Sequence, residues 1–333
     1  MAARIVGVGK YVPEKVMTNL ELETMVETSD DWIVERTGIR ERRIAAAHET
    51  ASSMGAEAAR MALHTAGVGP ESVDLIICAT MTPDGMFPAS AAAIQEALGA
   101  RNAAAFDVNA ACAGFIAALA TGSQFVNTGV YERVLVVGAE VLSRIVDWSD
   151  RGTCVLFGDG AGAVLLERSD RGGPSAFVLK NDGSGGHLLY AKGLTSAPAS
   201  LAETEGFCIV MDGREVFRFA VRAMEEASRQ SLQMAGLGVD DIAFVVPHQA
   251  NQRIISAVAK NLGVPSERVI SNVERYGNTS AASVPLALCE AWEEGRLKDG
   301  DKLVIVAFGG GLAWGSAIVE WTGLGSCLAT SAK

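Results

Sequence analysis

The sequence predicts an α/β protein assembled from two similar halves, and three observations carry that prediction. The first is an internal repeat. AGVGPESVDLIICAT from Ala66 matches AGLGVDDIAFVVPHQ from Ala235, 169 residues on, and ERVLVVGAE from Glu132 matches DKLVIVAFG from Asp301 at the same spacing. Asn109 and Asn278 fall on that register as well. The second is that runs of Val, Ile and Leu alternate with Ala-rich helical stretches, the pattern of sheets covered on both faces. The third is composition: 333 residues, 49% hydrophobic and 20% charged, are too apolar for a disordered chain and ample for a large core.

In chain order, Thr18 and Glu21 have the cap-to-N3 spacing of a capping box and open a helix. Ala66 and Gly67 end the next helix, acidic residues follow, and LIICA is a buried strand. A short apolar strand ends at Asn109, and a small-residue helical pattern starts just behind it in CAGFIAALATG. RSDRGGP, residues 168–174, is the most turn-rich stretch between the two copies, so the halves are expected at 1–173 and 174–333. Beyond it, Asp212 and Glu215 repeat the cap spacing in a looser form. IAFVV is the strand before Pro247, and LVIVA the strand before Gly309, Gly310 and Gly311.

Several function classes drop out. With 28 Lys and Arg against 39 Asp and Glu, the net charge of −11 is the opposite of a nucleic-acid footprint. Two uncharged runs, 108–131 and 303–319, imitate membrane spans, but Asn109, Gln124 and Asn127 interrupt one and three glycines the other, so both are core elements. The N-terminus lacks a secretory h-region, which points to the cytoplasm. The cysteines at 78, 112, 154, 208, 289 and 327 contain no CxxC and the histidines at 48, 64, 187 and 248 no HxxxH, so no metal site is expected and the thiols are read as reduced. GDGAG at 158–162 is not GxGxxG and no Walker A string occurs, which removes nucleotide phosphate cradles.

Chemistry concentrates at four places. Cys112 stands where a strand gives way to a helix. Unpaired N–H groups and the positive dipole end there favour a thiolate, and the competing reading is a small packing residue among alanines. His248, with Gln249 and Asn251, directly follows an apolar strand, where α/β sites open; a surface turn is the alternative. Asn278 follows Gly277 and reads first as a turn or N-cap. Yet Cys112 maps to Ala281 on the repeat, so pseudo-symmetry brings the thiol-bearing and amide-bearing turns towards one centre. The glycines at 309–311 suit either a backbone N–H donor to an oxyanion or a tight hairpin.

NAACAGF around Cys112, VPHQAN around His248, YGNTSAAS around Asn278 and the terminal FGGGLAWG resemble, in that order and over essentially the whole chain, the β-ketoacyl-acyl-carrier-protein synthase III family. The resemblance implies a thiolase-like five-layered αβαβα fold of two duplicated halves and a homodimer. The implied reaction is a decarboxylative Claisen condensation of an acyl-CoA primer with malonyl-acyl carrier protein, which initiates type II fatty-acid synthesis without a cofactor. Acetyl-CoA is first among the primers, while branched or longer ones stay open because 183–207 matches no pattern. Under the resemblance Cys112 is the nucleophile, the Cys112 and Gly310 N–H groups hold the oxyanion, and His248 and Asn278 donate to the enolate. Chain-extending synthases carry a second His at the third position and thiolases a Cys. Type III polyketide synthases share Cys-His-Asn, but their GFGPG string is missing here. A papain-type hydrolase lacks this duplication, and a catalytically idle member of the fold would not keep all three reactive side chains.

The resemblance further assigns CoA contacts to Thr28, Trp32, Arg36, Arg151 and Asn251, with Trp32 and Arg151 sandwiching the adenine. It assigns acyl-pocket walls to Leu142, Phe157, Leu189 and Met211, with Phe87 reaching across the dimer. An acidic enzyme needs a basic patch to receive an acidic carrier protein. Arg214, Arg218 and Arg222, spaced by four, share a helix face and with Arg253 and Lys260 form the candidate docking surface; ordinary surface charge paired with Glu225 and Glu226 is the alternative.

Overall fold

The computed structural model describes residues 2–193 and 208–324. Its first half runs β1 (Ala2–Tyr11), α1 (Asp30–Thr37), α2 (Ala51–Ala66), β2 (Leu75–Ala79), α3 (Ser90–Leu98), β3 (Ala104–Val108), α4 (Gly114–Asn127), β4 (Arg133–Glu140) and β5 (Gly160–Ser169). The second runs β6 (Gly173–Asn181), α5 (Gly213–Ala235), β7 (Phe244–Pro247), α6 (Gln252–Leu262), α7 (Ser283–Glu293), β8 (Lys302–Gly309) and β9 (Ala313–Glu320). The Thr18 capping box forms in full, and Asp212 caps α5 by accepting from the amides of Arg214 and Glu215.

The five-stranded sheet has the order β1-β5-β4-β2-β3 and the four-stranded sheet β7-β8-β9-β6. Within each sheet the same pairing recurs: β2 with β4 and β7 with β8 are parallel, while β4 with β5 and β8 with β9 are antiparallel. Leu75 and Phe244 begin equivalent strands, as do Arg133 and Lys302, each pair 169 residues apart. Among the described strands of the two sheets, β3 lacks a full counterpart, its place being taken by a single bridge between Val245 and Val269.

Strand side chains alternate between two cores because successive residues point to opposite faces. Leu75, Ile77, Val134 and Val136 face a central cluster, whereas Ile76, Cys78, Leu135 and Val137 face an outer one beneath α2 and α3. From the other sheet, Leu303 and Ile305 enter the same central cluster, and Val304 and Val306 turn outwards beneath α5 and α6. Helices α4 and α7 lie between the sheets, giving five layers, α-β-α-β-α. The run 108–131 is mostly α4, and 303–319 is the β8–β9 hairpin. Among the described residues no helix is long and apolar enough to cross a membrane.

Two short turns start the central helices, Ala111–Ala113 ahead of α4 and Ser280–Ala282 ahead of α7. Ala111 (φ 47°) and Ser280 (φ 48°) both occupy the left-handed region, which a residue with a Cβ enters only at a cost. Each turn presses on a glycine of the opposing half. A Cβ on Gly309 would lie 2.5 Å from the Cys112 nitrogen, and one on Gly138 would lie 2.3 Å from the Ala281 carbonyl oxygen. Glycine at these positions lets the two turns approach one another between the sheets.

Candidate active site

A cavity of about 620 Å³ opens at this meeting point, and Cys112, His248, Asn278, Gly309 and Gly310 all line it. The repeat therefore brings together the three side chains singled out from sequence. Each is carried by a different element.

Cys112 sits in the turn directly before α4 and is 5% exposed. The helix-end reading anticipated a stabilised thiolate. Burial wins instead and pushes the thiol up to about 12, with the adjacent Ser280 hydroxyl acting in the opposite direction. The resting group is a protonated thiol, because a dipole worth a fraction of a charge does not replace lost hydration.

His248 extends β7 by one step, its amide donating to the Val306 carbonyl at 2.7 Å. Its Nδ1 lies 2.7 Å from the Ser283 Oγ at the first residue of α7. Burial lowers the imidazole to about 3, so the ring is neutral at ordinary pH. The Gln249 amide donates to the same Ser283 oxygen at 3.4 Å, so this hydroxyl holds both the ring from its Nδ1 edge and the backbone that follows it. Gln249 is itself clamped: its Nε2 donates to the Pro247 carbonyl at 2.6 Å, and its Oε1 accepts from the Asn272 amide at 2.9 Å.

Asn278 is held by backbone on both sides. Its amide donates to the Leu156 carbonyl at 2.8 Å, and its carbonyl accepts from the Gly158 amide at 3.0 Å. Its side-chain Oδ1 accepts from the Ser280 amide at 2.9 Å, so the carboxamide offers its NH₂ to the cavity. The arrangement thus presents a thiol, a neutral imidazole and a carboxamide N–H donor. Gly310 lines the same wall, just past β8; the glycines make the β8–β9 hairpin bend, and Gly309 lies close against the Cys112 backbone.

All of the CoA candidates but Asn251 lie outside the cavity lining. Trp32 on α1 lies under two guanidinium groups, Arg36 at 5.0 Å and Arg151 at 4.8 Å from the ring centroid. The Arg151 guanidinium rests on the indole, so an adenine entering between Trp32 and Arg151 has to part them. Arg151 also donates to the Glu27 carbonyl at 3.1 Å. The Thr28 hydroxyl oxygen is buried without a hydrogen-bond partner. Asn251 caps α6, donates to the Arg36 carbonyl at 3.2 Å and lines the cavity.

Phe157, Leu189 and Met211 line the cavity as expected, but Leu142 does not. It is fully buried in a cluster with Phe157 and Leu189, so it packs against wall residues and not on the open space. Phe87 is 85% exposed and away from the cavity of its own chain. The walls that sequence reasoning missed include Ile209, Val216, Phe217, Ile254 and Phe308. Arg214, Arg218, Arg222, Arg253 and Lys260 are all exposed on α5 and α6, which pack together. Glu225 and Glu226 pair with Arg229 and Lys180 instead, and among the described residues Arg218 alone of the five basic side chains enters an ion pair, with Glu215 at 2.8 Å. Cys78, Cys112, Cys154, Cys208 and Cys289 are free thiols, and Cys327 lies outside the described residues. Among the described residues no group of His, Cys, Asp or Glu is arranged to hold a metal.

Two family models match the chain: 3-oxoacyl-[acyl-carrier-protein] synthase III over residues 106–183, and the C-terminal model of the same description over 232–321. A β-ketoacyl-[acyl-carrier-protein] synthase III of Desulfitobacterium hafniense is 52% identical over 322 residues, covering 96% of this chain and 97% of its own. The crystal structure of 3-oxoacyl-[acyl-carrier-protein] synthase III from Aquifex aeolicus superposes with a TM-score of 0.90 at 47% identity, covering 96% of this chain and 100% of the other. The Thermus thermophilus structure of that description gives 0.91 at 47% identity, covering 96% and 99%.

Proposed function

The chain belongs to the 3-oxoacyl-[acyl-carrier-protein] synthase III family, and from that premise we propose how its residues divide the reaction. The enzyme condenses an acyl-CoA with malonyl-acyl carrier protein, the step that initiates fatty-acid synthesis. Cys112 attacks the acyl-CoA thioester, and the N–H groups of Cys112 and Gly310 receive the oxyanion. Malonyl-acyl carrier protein then loses CO₂, and the enolate oxygen is held by His248 Nε2–H and the Asn278 NH₂. Attack on the acyl-cysteine gives the 3-oxoacyl product and frees the thiol. The single observation that supports this division is the hydrogen-bond network behind the two side chains: Ser283 holds the imidazole from its Nδ1 edge, and the Ser280 amide occupies Asn278 Oδ1, which turns the NH₂ outwards.

The CoA adenosine binds at Trp32, Arg36 and Arg151, with Thr28 and Asn251 along the route inwards, supported by the exposed guanidinium–indole stack and the unpaired Thr28 oxygen. The exposed arginines of α5 and α6 receive the acidic carrier protein. Phe157, Leu189 and Met211 bound the acyl group of a primer, acetyl in the first instance. The protein works as a cytoplasmic homodimer without a cofactor, its halves dividing at 173/174. Exposed Phe87 and Met86 and the open side of edge strand β3 support a partner on that face.

The test separates the half-reactions. Cys112→Ala loses covalent labelling by acyl-CoA, whereas Asn278→Ala keeps labelling but loses malonyl decarboxylation and condensation. An Asn278→Ala enzyme that condensed normally would remove the role assigned to the carboxamide.

A further inference from the structure

The proposed function uses His248 Nε2 and Asn278 as hydrogen-bond donors, which leaves the Cys112 proton without an acceptor among the residues assigned so far. We infer that Glu140, acting through the Ser280 hydroxyl, takes the Cys112 proton during acyl transfer and returns it when the thiolate is expelled. The inference rests on Cys112 being the nucleophile of the proposed function.

Glu140 ends β4 and has no exposed surface. Its carboxyl collects donors: Thr82 Oγ1 at 2.6 Å, Ser280 Oγ at 3.0 Å, Thr80 Oγ1 at 3.3 Å, and the amides of Met81 and Thr82 at 3.2 Å. Among the described residues it enters no ion pair, so this buried acid is held by hydroxyls and amides alone. Ser280 gives its hydroxyl hydrogen to Glu140, and its turn packs against the turn that carries Cys112, which sets the hydroxyl between the thiol and the carboxyl. The repeat supplies this juxtaposition: the turn equivalent to that of Cys112 carries Ser280, where the first half has Ala111 in the same backbone conformation.

The relay also keeps the net charge of this buried site constant. A buried site resists a second negative charge, but moving a proton from sulfur to a carboxylate only relocates the one it has. Burial raises Glu140 to about 7, close to the working range of a general base. The titratable groups facing Glu140 are Cys112, through Ser280, and Cys78 on β2, with Asp84 and Asp107 next to Cys78.

The step balances. As the sulfur–acyl bond forms, the S–H bond breaks, Ser280 receives that proton on Oγ, and its own hydrogen passes to Glu140. CoA leaves as a thiolate and is protonated by solvent. In the second half-reaction CO₂ leaves, the enolate attacks the acyl carbon, and the carbon–sulfur bond breaks. The expelled thiolate then recovers the proton from Glu140 through Ser280. One solvent proton is consumed per turnover, and it ends on CoA.

The experiment follows acyl-enzyme formation from acetyl-CoA by quenched mixing and intact mass, between about pH 5 and about pH 9, in wild type, Glu140→Gln, Glu140→Asp and Ser280→Ala. The wild-type rate is expected to rise through an inflection near the Glu140 ionisation. Glu140→Gln and Ser280→Ala each lose the inflection and about 100-fold in rate, and the double variant is no slower than either. Glu140→Asp, which keeps the carboxyl, recovers the inflection. Malonyl-acyl carrier protein decarboxylation, which the relay does not serve, reports on the His248–Asn278 side. Equal loss of both half-reactions in Glu140→Gln would make its role structural and overturn the relay, as would acylation at the wild-type rate and pH profile. If wild type itself formed no adduct, the nucleophile assignment would fail instead.

Discussion

Gly309→Ala perturbs the site through one methyl group. The added Cβ would stand 2.5 Å from the Cys112 nitrogen, 2.9 Å from its Cβ and 3.1 Å from its Cα. Ordinary contacts between such atoms are about 3.5–4.0 Å, so roughly 1 Å of movement is required. Both partners are backbone: β8 is paired to β7 and β9, and the turn at 111–113 is buried between the sheets. Overpacking of this kind costs about 1–3 kcal/mol, small enough for the protein to fold. Catalysis should lose more, because the methyl crowds the Cys112 N–H proposed to receive the oxyanion, and losing one such donor costs about 100- to 1,000-fold. Gly183→Ala is the control, since no atom lies within 4 Å of its added Cβ. Urea unfolding measures the first effect, and quenched mixing with acetyl-CoA the second. Gly309→Ala enzyme that folds and acylates within about threefold of wild type would refute the close approach and the donor role drawn from it.

Trp32→Ala removes the platform under Arg36 and Arg151 and should raise KM for acyl-CoA about tenfold, leaving the constant for malonyl-acyl carrier protein unchanged; steady-state kinetics with each substrate varied decides it. Arg253→Glu or Arg218→Glu should slow condensation with carrier protein more steeply than acyl exchange with CoA, and equal losses would clear the α5–α6 face of a docking role. Stability should report Glu140 independently of activity. Its folded-state ionisation is raised from 4.5 to about 7 by burial, so folding binds a proton across that interval. The contribution, about 3 kcal/mol, is fully present below about pH 4.5 and is lost as pH rises through about 7. Urea midpoints of wild type should therefore fall relative to those of Glu140→Gln over this range; parallel curves would contradict the raised ionisation.

The duplication was legible because strand starts and helix ends keep a spacing of 169 residues, and Val-rich strands buried on both faces have a plain composition. Cys112 and Asn278 were likewise within reach, since the repeat sets their turns opposite one another. The rest depends on depth and on contacts distant in sequence. Helix position alone suggested a thiolate at Cys112, but only the fold reveals how much hydration the sulfur has lost. Glu140 looks like the solvated end of a strand until Thr80, Thr82 and Ser280 close over it. Ser283 is one small residue in a run of them, and its contact with His248 spans 35 residues. A signal for Ser280 did exist: it is the repeat equivalent of Ala111, the one turn position where a hydroxyl replaces a methyl. Leu142 was misplaced because a buried apolar residue near a cavity and one lining it have the same sequence signature.

The central claim is that one thiol, brought to the cavity floor by the meeting of two repeated turns, carries the acyl group. Peptide mapping by mass after brief exposure to isotopically labelled acetyl-CoA tests it directly. The label should appear on the peptide containing Cys112 and on none of the other five cysteine peptides. Label on a different cysteine, or turnover with no labelled peptide at any mixing time, would contradict the account.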